Sequence, residues 1–167
     1  RLYTGLHHSR EPMSYMNLLY FMKWLCENYS NDQQIENLLA NRELYFVPIV
    51  NPDGYVYSHT TDRYWRKNRQ PNPGSSYVGT DLNRNWDADW NGGQSTSTSP
   101  SSDIYVGAYP FSAYEANVLK NYMQSIPNLL GHLDIHSYSA LVLGPWGYTN
   151  IQTPDHAEVV SLGNAMN

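Results

Sequence analysis

The sequence predicts a layered α/β fold, and three observations carry that expectation. Short apolar runs alternate with longer segments of helical periodicity, the pattern of strands covered by helices. The chain has 167 residues, enough for one ordinary domain with a real core. It is 41% apolar and 14% aromatic, with 15 tyrosines and five tryptophans, which argues against disorder.

The elements follow in order. Leu2 to Leu6 is short and mostly apolar and runs into His7-His8, so it reads as a strand entering a loop. Pro12 suits the first turn of a helix, where its missing N–H costs nothing. That helix runs from about Pro12 to Asn28, with Met16, Leu19, Tyr20, Met22 and Leu25 at roughly helical spacing. Cys26 lies among them and is expected to be a small buried hydrophobe. Asn31 to Asn41 reads as a second helix with Ile35, Leu38 and Leu39 inward. Leu44 to Val50 reads as a buried strand, weakened by Pro48. Asn51-Pro52-Asp53-Gly54 reads as a turn. From Tyr55 to Ser102 periodicity fails, and an aromatic-rich loop of this length is expected to be functional. Within it, Asn91 to Ser102 is expected to be mobile. Ser112 and Glu115 form a candidate capping box for a helix reaching about Ser125. Gly131 to His136 reads as a strand, Tyr148 to Pro154 as loop, and Asp155 to Asn167 as a last helix. No internal repeat and no second composition regime divides the chain.

Composition excludes several function classes. Lys+Arg is 10 and Asp+Glu is 15, a formal charge of -5, which disfavours a nucleic-acid binder. No run approaches the roughly 20 apolar residues that span a bilayer, so no membrane partner is expected. One cysteine permits no intrachain disulfide and fits secretion or the cytoplasm equally. Arg1-Leu2-Tyr3-Thr4 does not resemble a targeting segment and reads as the interior of something longer.

Three clusters could carry chemistry. His8-Ser9-Arg10-Glu11 places an imidazole and a carboxylate three apart, a spacing that can converge on one zinc ion. His7 and Glu11, four apart, could pair instead. His136 ends an apolar strand, and ligands in α/β sheets gather at the carboxyl ends of strands. By itself it reads better as a hydrogen-bonded core histidine. Asp81-Leu82-Asn83-Arg84-Asn85 and Arg63-Tyr64-Trp65-Arg66-Lys67 supply arginines, whose planar fork suits a carboxylate.

These motifs together resemble the zinc metallocarboxypeptidases related to pancreatic carboxypeptidase A. The resemblance spans essentially the whole chain. It rests on His8 to Glu11, Asn51 to Tyr55, Trp65 to Arg69, Asp81 to Asn85, Asp134 to Ser139 and Gly144 to Tyr148, in family order. The 124 residues between Glu11 and His136 add to its specificity. Trp65 to Asn72 and Ser75 to Asn85 look most like the bacterial carboxypeptidase T branch.

The resemblance implies a three-layer α/β/α fold with a mixed, mostly parallel central sheet, truncated at both ends. Residues 1–167 would be the central part of one catalytic domain. One Zn²⁺ would be held by His8, Glu11 and His136, which settles the His7 ambiguity. Asp81 would accept a hydrogen bond from the far nitrogen of His8. Arg66 would polarise the scissile carbonyl. Asn83 and Arg84 would clamp the free C-terminal carboxylate of a peptide or protein substrate. Arg10, Ser137 and Tyr138 would line the adjoining subsite, with Arg63 on the same wall, and the Ser137-Tyr138 peptide would be cis. The activity implied is release of single C-terminal amino acids, in an extracellular setting.

The family's general-base glutamate, its closing tyrosine and its specificity-pocket residue all lie beyond the third ligand. The chain ends before them, so the 167-residue polypeptide is expected to be inactive. Two alternatives are a non-catalytic zinc- and peptide-binding homologue and a related zinc amidohydrolase. The Asn83-Arg84 pair and Ser137-Tyr138 favour the carboxypeptidase over the amidohydrolase.

Overall fold

A computed structural model describes residues 1–166. Three short strands form its sheet: β1 (Leu2–Gly5), β2 (Tyr45–Val47) and β3 (His132–Ile135). All run parallel in the order β2-β1-β3. The helices are α1 (Pro12–Asn28), α2 (Gln33–Asn41), α3 (Pro52–Thr60), α4 (Tyr114–Ser125) and α5 (His156–Met166). The expected end of the last helix at Asn167 lies outside the described residues.

Strand alternation sorts the layers. Tyr3 stacks on Phe46 at 5.1 Å and meets Phe21 of α1 edge-on at 5.5 Å. Leu2 points the other way, into a core with Ala116 and Leu119 of α4, Val50, Leu82 and Ala113. One helix on each face gives the expected three layers. Each fully buried leucine here contributes ~1.5–3 kcal/mol over an exposed one.

The rotation of α1 differs from the sequence reading. Leu18 and Leu25 are buried, whereas Met16, Leu19 and Tyr20 face solvent. A helix with apolar residues on several sides has no single face dictated by pattern. Ser14 sets the rotation: its Oγ accepts from the Leu6 N–H at 2.9 Å and donates to the Glu11 carbonyl at 2.7 Å. Cys26, expected to be buried, is exposed for the same reason.

Two local expectations are also corrected. Asn51-Pro52-Asp53-Gly54 is the start of α3 rather than a free turn: Asn51 caps the helix by accepting from Gly54 N–H, and Pro52 opens it. The Ser112–Glu115 capping box does not form, and Ala113 is the cap residue. Tertiary partners win instead, because Ser112 Oγ meets Asn85 and Glu115 accepts from Asn68.

The topology places a site. From β1 the chain crosses to β2 on one side, and β3 joins on the other. The carboxyl ends of β1 and β3 therefore flank a switch point, where open α/β sheets bind ligands. His7 and His8 follow β1, and His136 follows β3.

Candidate active site

Local structure delivers each side chain to that switch point. Leu6, in a left-handed conformation with φ 55°, turns the chain out of β1. Glu11 is the residue capping α1, held there by Ser14. Asn51, fully buried, donates to the carbonyls of His7 at 3.0 Å and Lys67 at 3.1 Å. One asparagine thus ties the histidine loop to the arginine loop.

Glu11 sits between two imidazoles. Its Oε1 lies 2.9 Å from His8 Nδ1 and its Oε2 lies 2.9 Å from His136 Nδ1. Oε2 also accepts from the Ser137 N–H at 3.2 Å. Each imidazole turns its other nitrogen to an aspartate. His8 Nε2 is 3.0 Å from Asp81 Oδ1, and His136 Nε2 is 2.7 Å from Asp134 Oδ2. Ligand atoms of His8, Glu11 and His136 all lie within 4.8 Å of one another. Two imidazoles and one carboxylate are a zinc donor set that leaves a position for water. His8 is deeply buried while the His136 side chain is 30% exposed, so the cluster is open on the His136 side.

The electrostatics are those of a cluster held for a cation. Burial pushes the Glu11 carboxyl up, but the hydrogen bonds to His136 and His8 and their charges outweigh it and hold it at about 2. Burial pulls His136 down, and its bonds to Asp134 and Glu11 more than reverse this, to about 9. Asp81 is held far below the carboxylate range: burial opposes this, while the His8 bond and the charges of His8, Arg66 and Arg84 overcome it.

The model of the zinc carboxypeptidase family matches residues 2–167. The chain belongs to the zinc carboxypeptidase family. Carboxypeptidase A4 of Mus musculus is 38% identical over 95% of this chain and 37% of its own length. A zinc carboxypeptidase of Simulium vittatum is 38% identical over 95% of this chain and 51% of its own length. The crystal structure of thrombin activatable fibrinolysis inhibitor matches with a TM-score of 0.89 at 32% identity, covering 98% of this chain and 41% of that one. The chain thus spans between about a third and half of these relatives.

The zinc carboxypeptidase motifs occupy the rim around the cluster. Arg66 donates Nε and Nη2 to Asp81 Oδ2 at 3.0 and 2.8 Å. Asp81 Oδ1 also accepts from the Asn83 N–H at 2.9 Å. Asp81 therefore organises His8, Arg66 and Asn83 together. Asn83 Nδ2 lies 3.4 Å from His136 Nε2. Arg84 donates to the carbonyls of Ser95 and Asn83 and pairs with no carboxylate among the described residues. Arg10 is less free, with Nη1 donating to the Tyr64 carbonyl at 3.0 Å and to Asp103 at 3.2 Å. Arg63 is exposed on the loop after α3, next to Tyr64. Tyr138 is 95% exposed and the Ser137-Tyr138 peptide is cis.

His7 does not compete for Glu11. Its Nδ1 lies 2.9 Å from Asp134 Oδ1, without hydrogen-bond alignment. His7, Asp134 and His136 form a second convergent group, which sequence reasoning missed. The available signal was His132-Leu133-Asp134-Ile135-His136, three ionisable residues on alternate positions of one strand. The buried asparagines were missed as well. Asn68 accepts from the Thr80 N–H and donates to Glu115, while Asn85 donates its two N–H groups among the Val106 and Tyr109 carbonyls and Ser112 Oγ and accepts from the Ala113 N–H. They give order to the long loop where no secondary structure does. Asn91 to Ser102, expected to be mobile, is tied at Ser95 by Arg84, at Pro100 by Lys67 and at Ser97 by a bridge to Tyr105.

Proposed function

We propose that the protein carrying this chain is a zinc-dependent exopeptidase releasing single amino acids from the C-termini of peptides. The observation that carries the reading is Glu11 held between the Nδ1 atoms of His8 and His136. Bound zinc would supply a Lewis acid and a water of lowered pKa at that point.

The remaining roles belong to side chains. Arg84 and Asn83 bind the terminal carboxylate, and a guanidinium that pairs with no carboxylate among the described residues is suited to that. An internal peptide offers no such charge, which accounts for exopeptidase behaviour. Arg66, oriented through its Nε and Nη2 bonds to Asp81, polarises the scissile carbonyl and stabilises the negative charge that develops on its oxygen. Arg10, Arg63, Ser137 and Tyr138 line the upstream side. Secretion is part of this reading and rests on the family. Among the described residues no helix is long and apolar enough to cross a membrane.

We infer that the 167-residue polypeptide taken alone lacks a base, because among the described residues no second glutamate joins His8, Glu11 and His136. Glu27 pairs with Lys23, Glu36 with Gln33, Glu43 with Tyr45 and Glu115 with Asn68, while Glu158 is exposed on α5. It is expected to bind zinc and peptide C-termini without turnover.

Paired substrates test the activity: one peptide with a free C-terminus and the same peptide amidated. The protein is expected to shorten the acid by one residue at a time, spare the amide, stop with a chelator and recover with zinc. Internal cleavage, or equal action on the amide, would overturn the reading. Chelator-sensitive release by the isolated polypeptide would overturn the assigned lack of a base.

A further inference from the structure

The face of β3 toward α4 carries His132, Asp134 and His136 on alternate positions. The register sets Thr4 opposite Asp134 and Leu2 opposite His132. His132 is exposed, and Asp134 and His136 are half-buried. The metal reading accounts for His136 alone.

The hydrogen bonds have a fixed direction. Ionised Asp134 only accepts, so the Thr4 hydroxyl donates to its Oδ1 at 2.9 Å. The Thr4 oxygen, having spent its proton, accepts from His132 Nε2 at 2.7 Å. His7 Nδ1 approaches the same Oδ1 at 2.9 Å. The other oxygen of Asp134 takes the N–H of His136 Nε2 at 2.7 Å. Ionised Glu11 also only accepts, so without metal both ring nitrogens of His136 donate, and holding the proton at Nε2 would leave the Nδ1 lone pair for a bound zinc ion.

We propose that Asp134 is a positioning residue for His136, locking its tautomer and ring plane, and that Thr4, itself held by His132, keeps the Asp134 carboxylate in place. This rests on the zinc reading of His8, Glu11 and His136. It gives each imidazole its own orienting carboxylate, fully buried Asp81 for His8 and half-buried Asp134 for His136. Such partners typically change metal affinity by about 10–100-fold.

The test uses the zinc-loaded protein and its Asp134→Asn, Thr4→Val and His8→Ala variants, with folding checked by circular dichroism. Zinc release into a chromophoric chelator is timed, and downfield imidazole N–H protons are recorded by NMR. Asp134→Asn is expected to speed zinc release by about 10–100-fold. It should shift the His136 proton and leave that of His8 in place, a selectivity that general loosening would not produce. Thr4→Val should act in the same direction, several-fold, and carries the test if Asp134→Asn does not fold. If His8→Ala still binds zinc, the zinc reading itself fails. If His8→Ala loses zinc while folded Asp134→Asn and Thr4→Val release it within twofold of wild type, the positioning proposal fails.

Discussion

Asn51→Ala is the most informative single change outside the ligands. The Asn51 side chain is fully buried and makes three hydrogen bonds, to the His7 and Lys67 carbonyls and from the Gly54 N–H. Each such bond contributes ~1 kcal/mol net, and each buried group left unpaired costs ~1–3 kcal/mol. Some of that cost is relieved by relaxation, so the expected loss is about 3–5 kcal/mol. That is a large share of the 5–15 kcal/mol typical of a domain. Urea unfolding followed by tryptophan fluorescence measures it, as a lowered midpoint at constant slope. The melting temperature should fall by roughly 10 °C. Asn51→Asp should do no better, because it keeps the cap and loses both donors. Asn121→Ala, exposed on α4, is the control and should stay within about 0.5 kcal/mol. A loss below 1 kcal/mol in Asn51→Ala would refute the claim that this residue ties the two loops together.

Other perturbations probe the same architecture. Asp81→Asn should weaken zinc binding by about 10–100-fold, read by competition with a chelator, because His8 loses its anionic partner and Arg66 its ion pair. Unchanged affinity would contradict that organising role. Gly54→Ala should destabilise by about 1–3 kcal/mol, since its Cβ would lie 2.5 Å from Asn51 Oδ1 and 2.6 Å from the Lys67 carbonyl; thermal melting checks it. In the metal-free protein His136 is raised from 6.5 to about 9, so its stabilisation is complete below 6.5 and lost as pH rises through 9. Glu11 is lowered from 4.5 to about 2, so its contribution is present above 4.5 and lost as pH falls through 2. Melting temperature against pH in a chelator should therefore be highest between about 5 and 6.5. A maximum above 8 would contradict the pairing of His136 with Glu11 and Asp134.

The sequence made the order of elements and the ligand spacing legible because both depend on local signals. Pro12 marked α1, and His8, Glu11 and His136 stood in a recognisable frame. What stayed hidden was decided by distant partners. The same Pro signal at Pro52 opened α3, yet the turn chemistry of Asn51-Pro52-Asp53-Gly54 masked it. Ser112 and Glu115 had the spacing of a cap but were claimed by Asn85 and Asn68. The apolar residues of α1 surround the helix, so only Ser14, anchored to Leu6 and Glu11, shows which side faces in. Asp134 and Thr4 meet through strand register, which no spacing along the chain discloses.

The central claim is that His8, Glu11 and His136 form one zinc centre. Anomalous diffraction at the zinc edge, from crystals grown with one equivalent of zinc, tests it most directly. The expected result is a single peak about 2.0–2.2 Å from Nδ1 of His8, Nδ1 of His136 and the Glu11 carboxylate. A peak among His7, Asp134 and His136 instead, or no peak at the switch point, would contradict the account.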